Sequence, residues 1–109
     1  LDLSYISIEN IPISIFNLSN LNILNLNSNK INKIQSEIQN LLHLRELWLM
    51  NNNISIIPIE IGKLDLKIFR LFNNPIKFPP QYIIEKSVND IINYLKKKFK
   101  NKGNYFYFL

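Results

Sequence analysis

The sequence predicts an α/β solenoid, with short parallel strands stacked along a concave face and a helix closing the C-terminal end. Three observations predict it. The 109-residue chain superposes on itself at an offset of 23 residues; each copy opens with alternating leucines and continues with isoleucines at wider spacing; and the final segment switches to helical periodicity.

At that offset Leu21, Leu24, Leu26, Asn29, Ile31, Ile34, Ile38 and Leu41 fall on Leu44, Leu47, Leu49, Asn52, Ile54, Ile57, Ile61 and Leu64. The register extends backwards to Leu1, Leu3, Ile8, Ile11, Ile15 and Leu18. It extends forwards, after the loss of one residue, to Leu66, Phe69, Leu71, Asn74 and Ile76. The alternation over Leu47 and Leu49 describes a strand with one buried face. Asn51, Asn52 and Asn53 are poor strand formers and mark a turn. Asn52 is the structural member of the three, because a buried amide can bond backbone groups that a turn leaves unpaired; its two neighbours are expected to be free of structural duty. The later isoleucines line the return path, so that each coil closes over one apolar layer and stacks on the next. Asn29, Asn52 and Asn74 are therefore expected to be buried, forming a ladder. Ile6 stands at the equivalent position of the first copy and is expected to be buried there without such bonds.

Each copy reads L-x-x-L-x-L-x-x-N-x-I-x-x-I, and this resembles the leucine-rich repeat family. Ile57, Pro58, Ile61, Gly62 and Leu64 match the I-P-x-x-I-G-x-L continuation of its intracellular type. The closing stretch from Asn73 to Lys100 is similar to the end of such arrays in Ras-related repeat proteins and Roco GTPases, where N-P-I-x-x-P-P leads into helix. Ser87 and Asp90 are spaced as a capping box, with Ile84, Val88, Ile91, Ile92, Leu95 and Phe99 at helical spacing. The organisation read from this is leucine-rich repeats over 1–80 with a partial first copy, a C-terminal capping segment over 81–102 with a helix reaching about Lys100, and 103–109 as a tail or the start of a following domain. The chain opens inside a copy, so a piece of a longer protein is expected, its bare end exposing Leu1, Leu3 and Ile6.

Composition narrows the function classes. The net charge is +5, but six lysines and two arginines balance eight acids through residue 95, so the excess lies in Lys96, Lys97, Lys98, Lys100 and Lys102. Cysteine is absent, which excludes a disulfide framework and thiolate metal sites and favours a reducing compartment; a cytoplasmic location is expected. No run of apolar residues is long enough to span a membrane as a helix. His43, the only histidine, lies on a convex bend between Leu42 and Leu44, and no phosphate loop, paired-histidine metal motif or nucleophile elbow occurs. Neither a catalytic site, a metal nor a cofactor is expected. The sequons at Asn17 and Asn53 would matter only after secretion.

Residues between the buried strand positions face solvent, and neighbouring strands about 4.8 Å apart align them in columns. Asp2, Asn25, Trp48 and Arg70 form one; Ser4, Asn27, Met50 and Phe72 the next; Tyr5, Ser28, Asn51 and Asn73 a third; Ile23, Glu46 and Ile68 flank them. Two readings fit this face. Arg70 stacks on Trp48 merely to shield it and the other apolar side chains reflect compositional drift, or Tyr5, Asn25, Asn27, Glu46, Trp48, Met50, Arg70 and Phe72 bind a protein partner, since aromatic, Met and Arg side chains favour interface centres. Two alternatives remain beside a protein-interaction module: the non-catalytic repeat region of a larger signalling enzyme such as a Roco-type GTPase, and weak electrostatic contact of the lysine run with an acidic surface. Without aromatic residues among those lysines, nucleic acid is not an expected partner.

Overall fold

The computed structural model describes residues 1–106. Three parallel strands, β1 (Ile23–Asn25), β2 (Glu46–Trp48) and β3 (Ile68–Arg70), form one sheet in chain order. Their register pairs Asn25 with Trp48 and Trp48 with Arg70, and an isolated bridge adds Asp2 beside Asn25. The expected column of Asp2, Asn25, Trp48 and Arg70, flanked by Ile23, Glu46 and Ile68, is therefore the observed one. The return path of each coil runs through a 3₁₀ turn, at Ile13–Asn17, Ser36–Asn40 and Ile59–Lys63.

The core follows from the periodicity. Leu24, Leu26, Ile31, Ile38, Leu41, Leu44, Leu47, Leu49, Ile54, Ile57 and Ile61 have no solvent exposure, each coil contributing the same inward positions to one continuous apolar column. At the N-terminal end the equivalents are less covered. Leu1 and Leu18 are close to half exposed and Ile6 is 51% exposed, because no coil stacks on that side. Ile6 is thus not buried at its turn but uncovered with Leu1 at the bare end, while Leu3 is half-buried.

The asparagine ladder explains how the coils are joined. Asn29, Asn52 and Asn74 are half-buried rather than buried, and each spans two coils. Asn52 accepts the Ile31 N–H at 3.0 Å and donates to the Leu26 carbonyl at 3.0 Å and the Leu49 carbonyl at 3.1 Å. Asn74 accepts from Ile54 and donates to the carbonyls of Leu49 and Leu71. Asn29 accepts the amides of Ile6 and Ile8 and donates to Leu3 and Leu26. An asparagine thus serves the coil before its own, which is why the first coil is held without one at residue 6.

The residue before each ladder position also has a structural duty. Tyr5, Ser28, Asn51 and Asn73 all take left-handed backbone, with φ between 58° and 61°, a region that asparagine tolerates better than most residues. Asn73 Nδ2 donates to Asn51 Oδ1 at 2.8 Å, and Asn51 Nδ2 to Ser28 Oγ at 3.3 Å. Asn51, expected to be free of structural work, therefore supplies the turn conformation next to the ladder.

Beyond the last coil, α1 (Gln81–Ile84) is followed by α2 (Val88–Phe106). Ser87 Oγ accepts the Asp90 N–H at 3.2 Å, one arm of the capping box; the reciprocal arm from the Asp90 side chain is absent among the described residues. Ile91, Ile92 and Leu95 are buried against the coil end, and α2 packs chiefly on the Ile59–Lys63 turn. Close approach is possible because residue 62 is glycine: a Cβ there would lie 2.5 Å from the Lys96 backbone nitrogen and 2.8 Å from the Leu95 carbonyl carbon. In the two preceding coils, where a coil and not a helix follows, the same position holds Gln39 and Phe16. The helix continues past Lys100 to Phe106, through part of the segment expected to be a tail or the start of a following domain; residues 107–109 lie outside the described residues.

Candidate functional site

The sheet presents its alternate residues to solvent, and this brings most of the expected site residues together on one face. Trp48, at the centre of the column, is half-buried. Its indole Nε1–H donates to Glu46 Oε1 at 3.1 Å, and the Arg70 guanidinium carbon lies 5.8 Å from the ring centre, within cation–π range. The indole is thereby held from two sides, by a carboxylate on its own strand and by a cation on the next. Arg70 has no carboxylate partner among the described residues, so its charge is unneutralised. One residue pair further along, Met50 is half-buried and Phe72 is 79% exposed. Ile23 and Ile68 flank the column, the first exposed and the second half-buried.

Two of the expected contact residues are otherwise engaged. Asn25 Oδ1 accepts the Asn27 amide at 3.0 Å, and Asn27 Oδ1 accepts the Met50 amide at 2.7 Å. Their carbonyl oxygens hold the backbone of the face, which leaves only the amide NH₂ groups for an external ligand. Tyr5 is 79% exposed but belongs to the first coil, separated from the Trp48 strand by the whole of the second. Asp2, at the start of the same column as Trp48, is held below the ordinary carboxylate range by hydrogen bonds from the Ser4 hydroxyl and amide.

The basic run is partly committed to the fold. Lys102 Nζ lies 3.5 Å from Glu60 Oε2, Lys98 Nζ sits 5.4 Å from the Tyr94 ring centre, and Lys63 Nζ and Lys102 Nζ lie 4.6 and 5.8 Å from the Phe99 ring centre. Glu60, only 9% exposed, was not recognised as a site residue in the sequence; a carboxylate on the 3₁₀ turn that the capping helix covers was the available signal. His43 is exposed on its bend. Among the described residues no helix is long and apolar enough to cross a membrane.

Comparison with known proteins agrees with the coil geometry. A family model described as Leucine Rich Repeat matches residues 43–64, which hold β2, the Asn52 turn and the Ile59–Lys63 turn of the same coil's return path. These are leucine-rich repeats. A solved structure of a leucine-rich repeat protein from Leptospira interrogans is similar over 78% of this chain, at 34% identity and a TM-score of 0.71. This chain spans 22% of the length of that one. Neither likeness distinguishes a Ras-related or Roco-like subtype. Leucine-rich repeat domains are in general protein-interaction modules, and the solenoid here has the parallel strands and C-terminal helix of that architecture.

Proposed function

We propose that this leucine-rich repeat chain binds a protein partner through its concave strand face, with Trp48, Arg70 and Phe72 as the anchors. The observation that carries the reading is the fixed Trp48 side chain, bonded to Glu46 and covered by an Arg70 with no carboxylate partner among the described residues. Immobilising an aromatic and a cation before binding reduces the rotamer entropy lost in the complex. Phe72 and Met50 extend the anchors into an apolar strip, and Glu46 with the free amide groups of Asn25 and Asn27 forms a polar border, the distribution found in specific interfaces. Shielding of Trp48 alone would not account for Phe72, which stands almost wholly in solvent on the adjacent column.

The test is a photo-crosslinking residue in place of Asn25, used to capture the partner, followed by affinity measurement with purified components. Trp48→Ala is expected to weaken binding by about 2 kcal/mol or more, as hot-spot aromatics do, while the chain still folds. Lys33→Ala, an exposed change outside the strand face, is expected to be neutral. Unchanged affinity in the Trp48→Ala, Arg70→Ala double variant would refute the concave-face reading, and loss confined to variants of Lys96, Lys97 and Lys100 would transfer the role to the basic helix.

A further inference from the structure

The sheet ends at β3 with hydrogen-bonding groups that every earlier coil uses. Around the column residues, Leu3 N–H donates to Asn25 O at 2.8 Å, Leu26 N–H to Trp48 O at 2.8 Å, and Leu49 N–H to Arg70 O at 2.9 Å. Two residues on, Tyr5 donates to Asn27, Ser28 to Met50 and Asn51 to Phe72, at 3.2, 2.8 and 3.0 Å. The next members of these two series are the amides of Leu71 and Asn73. Neither has an acceptor among the described residues, because β3 is the last strand. The alternation of a parallel strand turns the Phe69 carbonyl to the same open side.

A groove of about 680 Å³ runs beside this edge, bounded by Phe69–Asn74 on one side and by α1 and the start of α2 on the other. Ile84, Val88 and Ile91 give it an apolar floor. Arg70, Lys86 and Glu85 stand along it; neither cation has a carboxylate partner among the described residues, while Glu85 receives Gln81 Nε2 at 3.4 Å.

We propose that this groove receives an extended segment of a protein partner, which adds a fourth parallel strand to β3. The repeat register specifies the segment. Its residue beside Arg70 donates its N–H to Phe69 O and accepts the Leu71 N–H; the residue two further on, beside Phe72, accepts the Asn73 N–H. The side chains of these two residues stand on the concave face, where an acidic group meets Arg70 and an aromatic one meets Phe72. The intervening residue and those on either side of the pair point over Ile84 and Val88 and are apolar. Main-chain bonds supply the attachment and the alternating side chains the selectivity, as in other strand additions. The site does not depend on the concave-face reading, since its defining contacts are backbone groups and the groove floor.

The test uses the full chain, ¹⁵N-labelled, and the acetylated, amidated peptide Val-Asp-Val-Tyr-Val. Saturating peptide is expected to slow amide exchange at Leu71 and Asn73 at least tenfold, with and without Trp48→Ala. Methylating the peptide nitrogen of the aspartate, or introducing Val88→Lys on the groove floor, is expected to raise the dissociation constant at least tenfold. Three results would overturn the proposal: no protection of either amide at millimolar peptide, equal binding of the N-methylated peptide, or protection that appears without peptide and rises with protein concentration, which would assign the edge to a second copy of this chain.

Discussion

Replacing Asn52 with leucine tests the ladder that holds the coils in register. The side chain makes four bonds, the longest to the Met50 carbonyl at 3.3 Å, which keeps the Ser28 amide, and their losses are unequal. The Leu26 carbonyl keeps Asn29 Nδ2 at 3.1 Å, and the Leu49 carbonyl keeps Asn74 Nδ2 at 2.8 Å, so both acceptors retain a partner after the change. The Ile31 amide has Asn52 Oδ1 as its acceptor and belongs to a residue with no solvent exposure. It is left unpaired where water does not readily replace the oxygen. An unsatisfied buried donor costs about 1–3 kcal/mol, and the two weakened carbonyls place the total near the upper part of that range, at about 2–3 kcal/mol. For a domain of this size that corresponds to a fall in Tm of about 10 °C or more. Asn29→Leu removes the acceptor of the Ile6 and Ile8 amides and a donor to the Leu3 carbonyl, but Ile6 is exposed and Leu3 and Ile8 only half-buried, so water can substitute and about 1 kcal/mol is expected. Urea and thermal unfolding followed by circular dichroism measure both. A loss below about 0.5 kcal/mol for Asn52→Leu, or a larger loss for Asn29→Leu, would refute the assignment of the ladder as the inter-coil tie.

Three further outcomes are expected. Gly62→Ala drives a methyl group into the backbone of α2 at Leu95 and Lys96, and because backbone cannot rotate away as a side chain can, a loss of about 2–3 kcal/mol is expected in the same unfolding assay, whereas Gln39→Ala in the preceding coil should be nearly silent. Ser28→Asn places a residue suited to left-handed backbone at φ 59° and offers an oxygen to Asn51, so a gain of about 0.5 kcal/mol is expected in thermal unfolding. Deleting residues 87–109 uncovers the layer around Leu66, Phe69 and Ile76, and size-exclusion chromatography is expected to show aggregated or unfolded chain; a monomer of unchanged stability would show that α2 is not a cap.

The coil, its inward residues and the alignment of Asp2, Asn25, Trp48 and Arg70 were legible in the sequence because they follow from periodicity. A residue spacing that recurs every 23 positions forces equivalent residues into equivalent environments, and sheet geometry then sets which of them are neighbours. That logic weakens where a coil lacks a neighbour. Ile6 and Leu18 carry the residue type of a core position, yet exposure depends on what stacks against them, which no local pattern records. It also fails for side chains that bond the backbone, within a coil or across to the next. Asn25 and Asn27 read as free polar groups on an open face, and only the folded structure shows the Asn25 oxygen fastened to the Asn27 amide of its own coil and the Asn27 oxygen to the Met50 amide of the next. Gly62 shows both determinants at one residue. The repeat pattern announces a glycine there, but the tertiary structure supplies the reason, an α-helix whose backbone lies within 3 Å of where a Cβ would stand. The amides of Leu71 and Asn73, without an acceptor among the described residues, likewise belong to the tertiary structure alone: their sequence positions match those of bonded residues in every earlier coil, and they differ because the sheet stops beside them.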